Sequence, residues 1–179
     1  MVHLGTPTVA VHASFLTAMA EFRAEGRGTA TDFTALGHEL RTFGESWASP
    51  DGFATYVRWL IDQAQEDAPR PEGYVPATVL WLMDGDEYLG RIAIRHRLTD
   101  ALRLGGGHIG YDIRPTARGR GHATTMLHEA LTVARSLGIT SALLTCDTDN
   151  LASRKVIERN GGVLQDEHDG KLRFRVPTA

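Results

Sequence analysis

The hydrophobic positions of the first part of the chain recur with a helical period, and those that follow switch to the alternating and short-run patterns of strands. Val9, Val11, Phe15, Leu16, Met19 and Phe22 fall at helical spacing ahead of Gly26, which predicts a helix from Thr8 to Glu25. A second helical piece is expected around Phe33 to Phe43, inside a Gly- and Thr-rich segment. Ser49-Pro50-Asp51 supplies a helix start, Phe53, Tyr56, Val57, Leu60 and Ile61 share one face, and Pro69 and Pro71 close the element, so a helix is expected from Pro50 to Glu66. Past Pro76 the pattern becomes extended. Val79 to Met83 and Tyr88 to Arg95, separated by the turn residues Asp84 to Glu87, predict a β-hairpin, and His108 to Ile113 predicts a third strand. Ala123, Met126, Leu127, Ala130, Leu131, Ala134 and Leu137 form one helical stripe, giving a helix from Gly121 to Leu137 that stops at Gly138. Ile139 to Cys146 predicts a buried strand, and Asp149 or Asn150 caps a helix running to Arg159. Val163 to Gln165 and Lys171 to Val176 flank Asp169-Gly170 as a second hairpin. Strands alternating with helices imply an α/β fold.

Length and composition narrow the picture without deciding it. The 179 residues suit one domain, and 42% hydrophobic with 23% charged residues excludes a disordered or fibrous chain. No apolar run approaches the ~18 to 20 residues of a membrane span, and no basic segment followed by an apolar stretch opens the chain, so a cytoplasmic protein without membrane contact is expected. Cys146 is the lone cysteine and reads as a buried thiol. A net charge of -3 argues against nucleic acid as the main partner. The eight histidines show no i, i+4 zinc-binding pair, and no metal is expected. The oligomeric state is open, with a homodimer allowed.

One stretch carries stronger chemistry. Arg118-Gly119-Arg120-Gly121-His122-Ala123-Thr124 joins the third strand to the long helix. Two glycines remove Cβ atoms that would obstruct a ligand, a helix start leaves amide N–H groups unpaired, and the helix dipole and two arginines add positive charge. The turn is suited to an anion, a phosphate above all.

With its neighbours, this turn resembles the GCN5-related N-acetyltransferase superfamily. The family's Gln/Arg-x-x-Gly-x-Gly/Ala signature is matched by Arg118 to Ala123 between strand and helix, and its Asn-x-x-Ala/Ser element by Asn150-Leu151-Ala152-Ser153. Gly162 stands where the family usually has Phe. The resemblance implies a mixed, mostly antiparallel twisted sheet flanked by helices, with a splay that admits the cofactor. It also implies a single domain in which residues 1–76 form a variable helical acceptor side and 77–179 the coenzyme A-binding core. Acetyl-CoA is the implied cosubstrate, its pyrophosphate cradled by the amides of Arg118 to Thr124 and its pantetheine arm paired with the strand edge at Tyr111 and Ile113. Asn150 and Ser153 are implied to face the same cleft.

Amine acetylation needs a neutral nucleophile and benefits from a proton donor to the departing thiolate. The family's usual Glu is missing from Gly105 to Gly110, which makes His108 the expected base or water relay. The family's usual Tyr on the last helix falls at Ile157, leaving Ser153 and Tyr111 as expected donors. Asp147 and Asp149 close the strand bordering the acetyl group and are placed to receive a proton or bind a cationic acceptor, with helix capping the competing role for Asp149. Asp112 alternates with Tyr111 and so faces the other side of the strand. The expected reaction is direct attack of a small-molecule amine on the thioester, with an antibiotic or related metabolite as a plausible acceptor. Transfer of another acyl or aminoacyl group, and a non-catalytic acyl-CoA sensor, are the competing readings.

Overall fold

A computed structural model describes all residues, Met1 to Ala179. Seven strands form two sheets rather than one. The first has the order β1-β2-β3-β4, from Val2–Gly5, Ala77–Asp84, Glu87–Arg95 and Ile109–Ile113. The second has the order β5-β7-β6, where β5 is Ser141–Asp147, β6 Val163–His168 and β7 Lys171–Pro177. Every pairing within the sheets is antiparallel.

Helices cover the first sheet on both faces, because alternate side chains of β2 and β3 point opposite ways. Leu82, Ile92 and Ile94 pack with Met126, Leu127 and Ala130 of α5, His122–Ser136. Trp81, Met83 and Tyr88 pack instead with Phe15, Met19 and Phe22 of α1, His12–Ala24, and with Phe53 and Tyr56 of α3, Pro50–Asp62. Phe15 sits within 5.0 to 5.7 Å of the rings of Trp47, Phe53, Tyr56, Trp81 and Tyr88. Each such aromatic contributes on the order of 2 to 3 kcal/mol by burial alone, so Trp47 and Trp81 are core residues.

Four elements depart from the sequence expectations. β1 pairs along β2, so residues 1–76 are not wholly helical. α2 is Ala35–Phe43, started by the Thr34 hydroxyl accepting from the amide of Gly37, and Phe33 lies outside it, 86% exposed. A five-residue helix, α4 at Asp100–Leu104, begins at the Thr99 cap. α3 ends at Asp62 instead of Glu66.

Backbone hydrogen bonding links the two sheets at one point. The amide of His108 donates to the carbonyl of Leu143 at 2.7 Å, and the amide of Leu143 donates back to Nδ1 of His108 at 2.9 Å. Beyond that junction β4 pairs only with β3, and β5 only with β7. Two strand edges therefore border a cleft, with α6, Leu151–Arg159, beside it.

A candidate acyl-donor cleft

The β4 ladder is regular: Arg95 donates to the carbonyl of His108, and Arg114 to that of Leu89. Even-numbered residues thus bond to β3, and the backbone groups of Tyr111 and Ile113 turn toward the cleft. The Ile113 carbonyl is met there by Nε of Arg118 at 3.0 Å. A strand edge of this kind can accept an extended ligand as an added strand.

The turn after β4 supplies what its sequence suggests, with one redistribution. Gly119 and Gly121 adopt φ of 77° and 81°, and the space beside each is empty. The amides of Gly119, Arg120, Gly121, His122 and Ala123 have no acceptor within the chain, while those at the expected limits do: Arg118 donates to Pro115 and Thr124 to Gly121. The free donors are thus concentrated in the centre of the run, at the start of α5 where the helix dipole is positive. The arginine side chains are otherwise engaged. Arg118 forms a two-pronged pair with Glu25 of the segment after α1, both contacts at 2.7 Å, and Arg120 donates to the Thr116 carbonyl. Backbone, rather than guanidinium, is the principal donor set of this turn.

At the cleft wall the hydroxyls of Tyr111 and Ser153 lie 2.7 Å apart, joining β4 to α6. Burial pushes the Tyr111 phenol up to about 12, against the opposing effect of the Ser153 hydrogen bond. The phenol therefore stays protonated at neutral pH. Asn150 caps α6, its side-chain oxygen accepting from the amide of Ser153 at 3.1 Å, so Asn150 positions Ser153 while its own side chain is committed to the helix. Cys146 is buried, and burial raises its thiol pKa, which leaves it a poor nucleophile.

The two other expected catalytic residues take structural places. Asp147 is exposed and pairs with Lys171 across β5 and β7, and Asp149 is exposed beyond it. His108 is the more instructive correction. Its Nδ1 accepts the Leu143 amide, which puts the proton of the neutral ring on Nε2 and leaves no free lone pair for a general base. Burial, aided by the charges of Arg175, Arg103 and Arg95, lowers its pKa from 6.5 to about 4. Between those values the unfolded chain binds a proton that the folded chain does not, so stability falls as pH falls. Taken alone the group costs about 2 kcal/mol of stability at about pH 5 relative to neutral pH. The variant His108→Leu should be less stable at neutral pH, because the Leu143 amide loses its acceptor, yet flatter in the acid range. Urea unfolding at about pH 7.5 and 5 checks this; an undiminished acid slope in the variant would show that His108 is not its source.

On the opposite face of β4, Asp112 is bound by Arg27 at 2.8 Å, and Arg27 also bonds Asp32 and Thr34. This straps the segment between α1 and α2 across the strand. No group of three or more His, Cys, Asp or Glu side chains is arranged to hold a metal, and no helix is long and apolar enough to cross a membrane.

A strand edge thus ends in free amides at a glycine turn, beside a single backbone link between the two sheets. The family described as an acetyltransferase (GNAT) domain matches residues 21–163, most of the chain. The chain belongs to the GNAT acetyltransferase family. No curated protein sequence matches it. Among solved structures, this GNAT chain is similar to RimL, the ribosomal L7/L12 α-N-protein acetyltransferase in complex with coenzyme A, at 17% identity and a TM-score of 0.63, covering 98% of this chain and 93% of that one. It is also similar to the ribosomal-protein-S5-alanine acetyltransferase from Vibrio fischeri, at 10% identity and a TM-score of 0.66, with 99% and 93% covered. The microcin C7 self-immunity acetyltransferase MccE, in complex with acetyl-CoA and AMP, matches at 11% identity and a TM-score of 0.60, with 98% and 92% covered. At these identities the likeness establishes a shared GNAT fold.

Proposed function

We propose that this GNAT protein transfers the acetyl group of acetyl-CoA to a small-molecule amine by direct attack on the thioester. The observation that carries the donor half is the run of unpaired amides from Gly119 to Ala123, beside empty space at two glycines and at a helix start. These donors fit a pyrophosphate, and the Tyr111 and Ile113 backbone fits the extended arm attached to it. The complexes of related proteins with coenzyme A or acetyl-CoA agree with this choice. The acceptor half rests on the Arg27 strap: with α1–α2 held against β4, the acceptor face of the strand is partly covered, which favours a small amine.

Tyr111 and Ser153 are the proposed donors to the leaving sulfur. A phenol near pKa 12 keeps its proton and donates a hydrogen bond to the sulfur as charge develops there. The thiolate, a weaker base than this phenolate, takes its proton from the ammonium formed on the attacking amine or from solvent. Because a thiolate is a good leaving group, the expected contribution is modest, about 10-fold in kcat and below the usual range for acid catalysis. Tyr111→Phe should lower kcat by that amount with coenzyme A affinity nearly unchanged, and the rate should show no basic limb traceable to the phenol below about pH 10. The assay is release of free thiol across an amine panel, alongside calorimetric titration with coenzyme A. Failure to bind coenzyme A would overturn the proposal, and binding without turnover on any amine would favour a sensor. A normal kcat in the Phe variant would remove Tyr111 from the chemistry.

A further inference from the structure

On the α1–α3 face of the first sheet, β3 carries arginines at both Arg91 and Arg95, with Ala93 between them. Arg91 is answered by Glu39, and its cross-strand neighbour Asp112 by Arg27. Arg95 has no carboxylate partner. It is half-buried, and its Nη1 donates to the carbonyls of Gly106 and Gly107 at 3.2 and 3.1 Å. Its remaining N–H groups find no acceptor in the chain and are not sealed from solvent. The charged or titratable groups that influence it are Tyr74 and Arg91; burial, aided by the like charge of Arg91, outweighs the opposing effect of Tyr74 and holds its pKa below the ordinary arginine value. A charge kept in this condition is incompletely solvated and incompletely paired.

Its location connects it to the cleft. Gly106 and Gly107 lead directly into the His108–Leu143 junction, and Gly106 also donates to Thr145 of β5. Arg95 stands beside Gly110, where an added Cβ would lie 3.8 and 3.9 Å from its two terminal nitrogens. The absence of a side chain at Gly110 leaves the floor in front of the guanidinium open. Gly107 cannot carry an acid in its place: its φ is 61°, and a Cβ would lie 2.3 Å from the Leu143 carbonyl. The junction end of the cleft therefore presents a fixed cation and no carboxylate.

We propose that Arg95 binds an oxyanion of the acceptor, so that the substrate is a small amine bearing a carboxylate or phosphate near its amino group. Planar, forked donors held against backbone carbonyls suit either anion. This rests on the acetyl-transfer reading, and the test separates the two. Wild-type kcat/KM is measured for matched pairs: amino acids against their α-amides for the carboxylate arm, and phosphoethanolamine against ethanolamine for the phosphate arm. The anionic member of at least one pair should be favoured by about 30-fold, mainly through KM. Arg95→Gln should erase that preference with kcat and coenzyme A affinity little changed, and Arg95→Lys should restore part of it. Calorimetric binding of the same anionic amines to the coenzyme A complex gives a readout independent of turnover. Binding that Arg95→Gln abolishes upholds the site even if no acetyl transfer is seen. Equal use of both members of every pair by the wild type, a variant that loses both members equally, or neither binding nor preference would overturn it. The wild-type comparison stands even if the variants fold poorly.

Discussion

Gly121→Val should weaken coenzyme A binding by about 100-fold while costing only about 1 to 2 kcal/mol of stability. The two effects have different origins. At φ of 81° a β-branched residue is strained wherever it occurs, which sets the stability cost. Nothing in the chain lies within 4 Å of the added Cβ, so no internal clash enlarges that cost. The side chain instead projects beside the free amides of Gly121 and His122, and relief of the strain would turn those amides away from a common target. Loss of two hydrogen bonds to a charged group is worth about 3 kcal/mol, which matches the affinity change. Gly138 provides the control. Its φ is 84°, its surroundings are equally empty, and it lies at the far end of α5. Gly138→Val should lose similar stability and no affinity, as read by thermal denaturation and calorimetric titration with coenzyme A. Equal affinity in the two variants would take the turn out of the binding site.

This turn was legible in the sequence because its physics is local: two glycines, a helix start and an apolar stripe lie within a few residues of one another. The β2–β3 hairpin and α5 were legible for the same reason. β1 was not, since four residues contain too little alternation and their strand character comes from pairing with β2. β6 was expected only as Val163 to Gln165 because the rest of it, Asp166 to His168, is polar; the whole strand is an edge with both faces exposed, so no burial pattern marks it. Side-chain roles set by distant partners were the least legible. The identity of His108 suggested a base, but the amide that occupies its lone pair belongs to Leu143 in the next sheet. The charge of Arg118 suggested direct phosphate binding, but Glu25, far back in the chain, holds its guanidinium. Arg95 could have been noticed: with Arg91 it forms a charged pair of same-face positions in a strand whose other face carries Ile92 and Ile94.

The largest stability loss should come from Glu39, whose carboxylate is buried against β3 on the α1–α3 face of the first sheet. Glu39 and Arg91 are each only 4% exposed, and the Tyr56 hydroxyl donates to the same carboxylate at 2.5 Å. One carboxylate thus ties α2 to β3 and α3. Burial works against the charge of Arg91, but the adjacent carboxylate holds its pKa well above the ordinary value, and burial together with the Glu39 charge raises that of Tyr56. Glu39→Ala therefore leaves a guanidinium charged, desolvated and unpaired, at an expected cost of about 3 to 5 kcal/mol in urea unfolding. The cause is the abandoned charge rather than the lost attraction, which a second substitution can distinguish. The double variant Glu39→Leu with Arg91→Met removes both charges and fills the site with apolar volume, so it should recover most of the loss. If the double variant is no more stable than Glu39→Ala, the burden lies in packing around α2. Recovery would have a functional corollary: α2 restored to the sheet keeps the Arg27 strap and the surroundings of Arg95, so acceptor KM should recover along with stability.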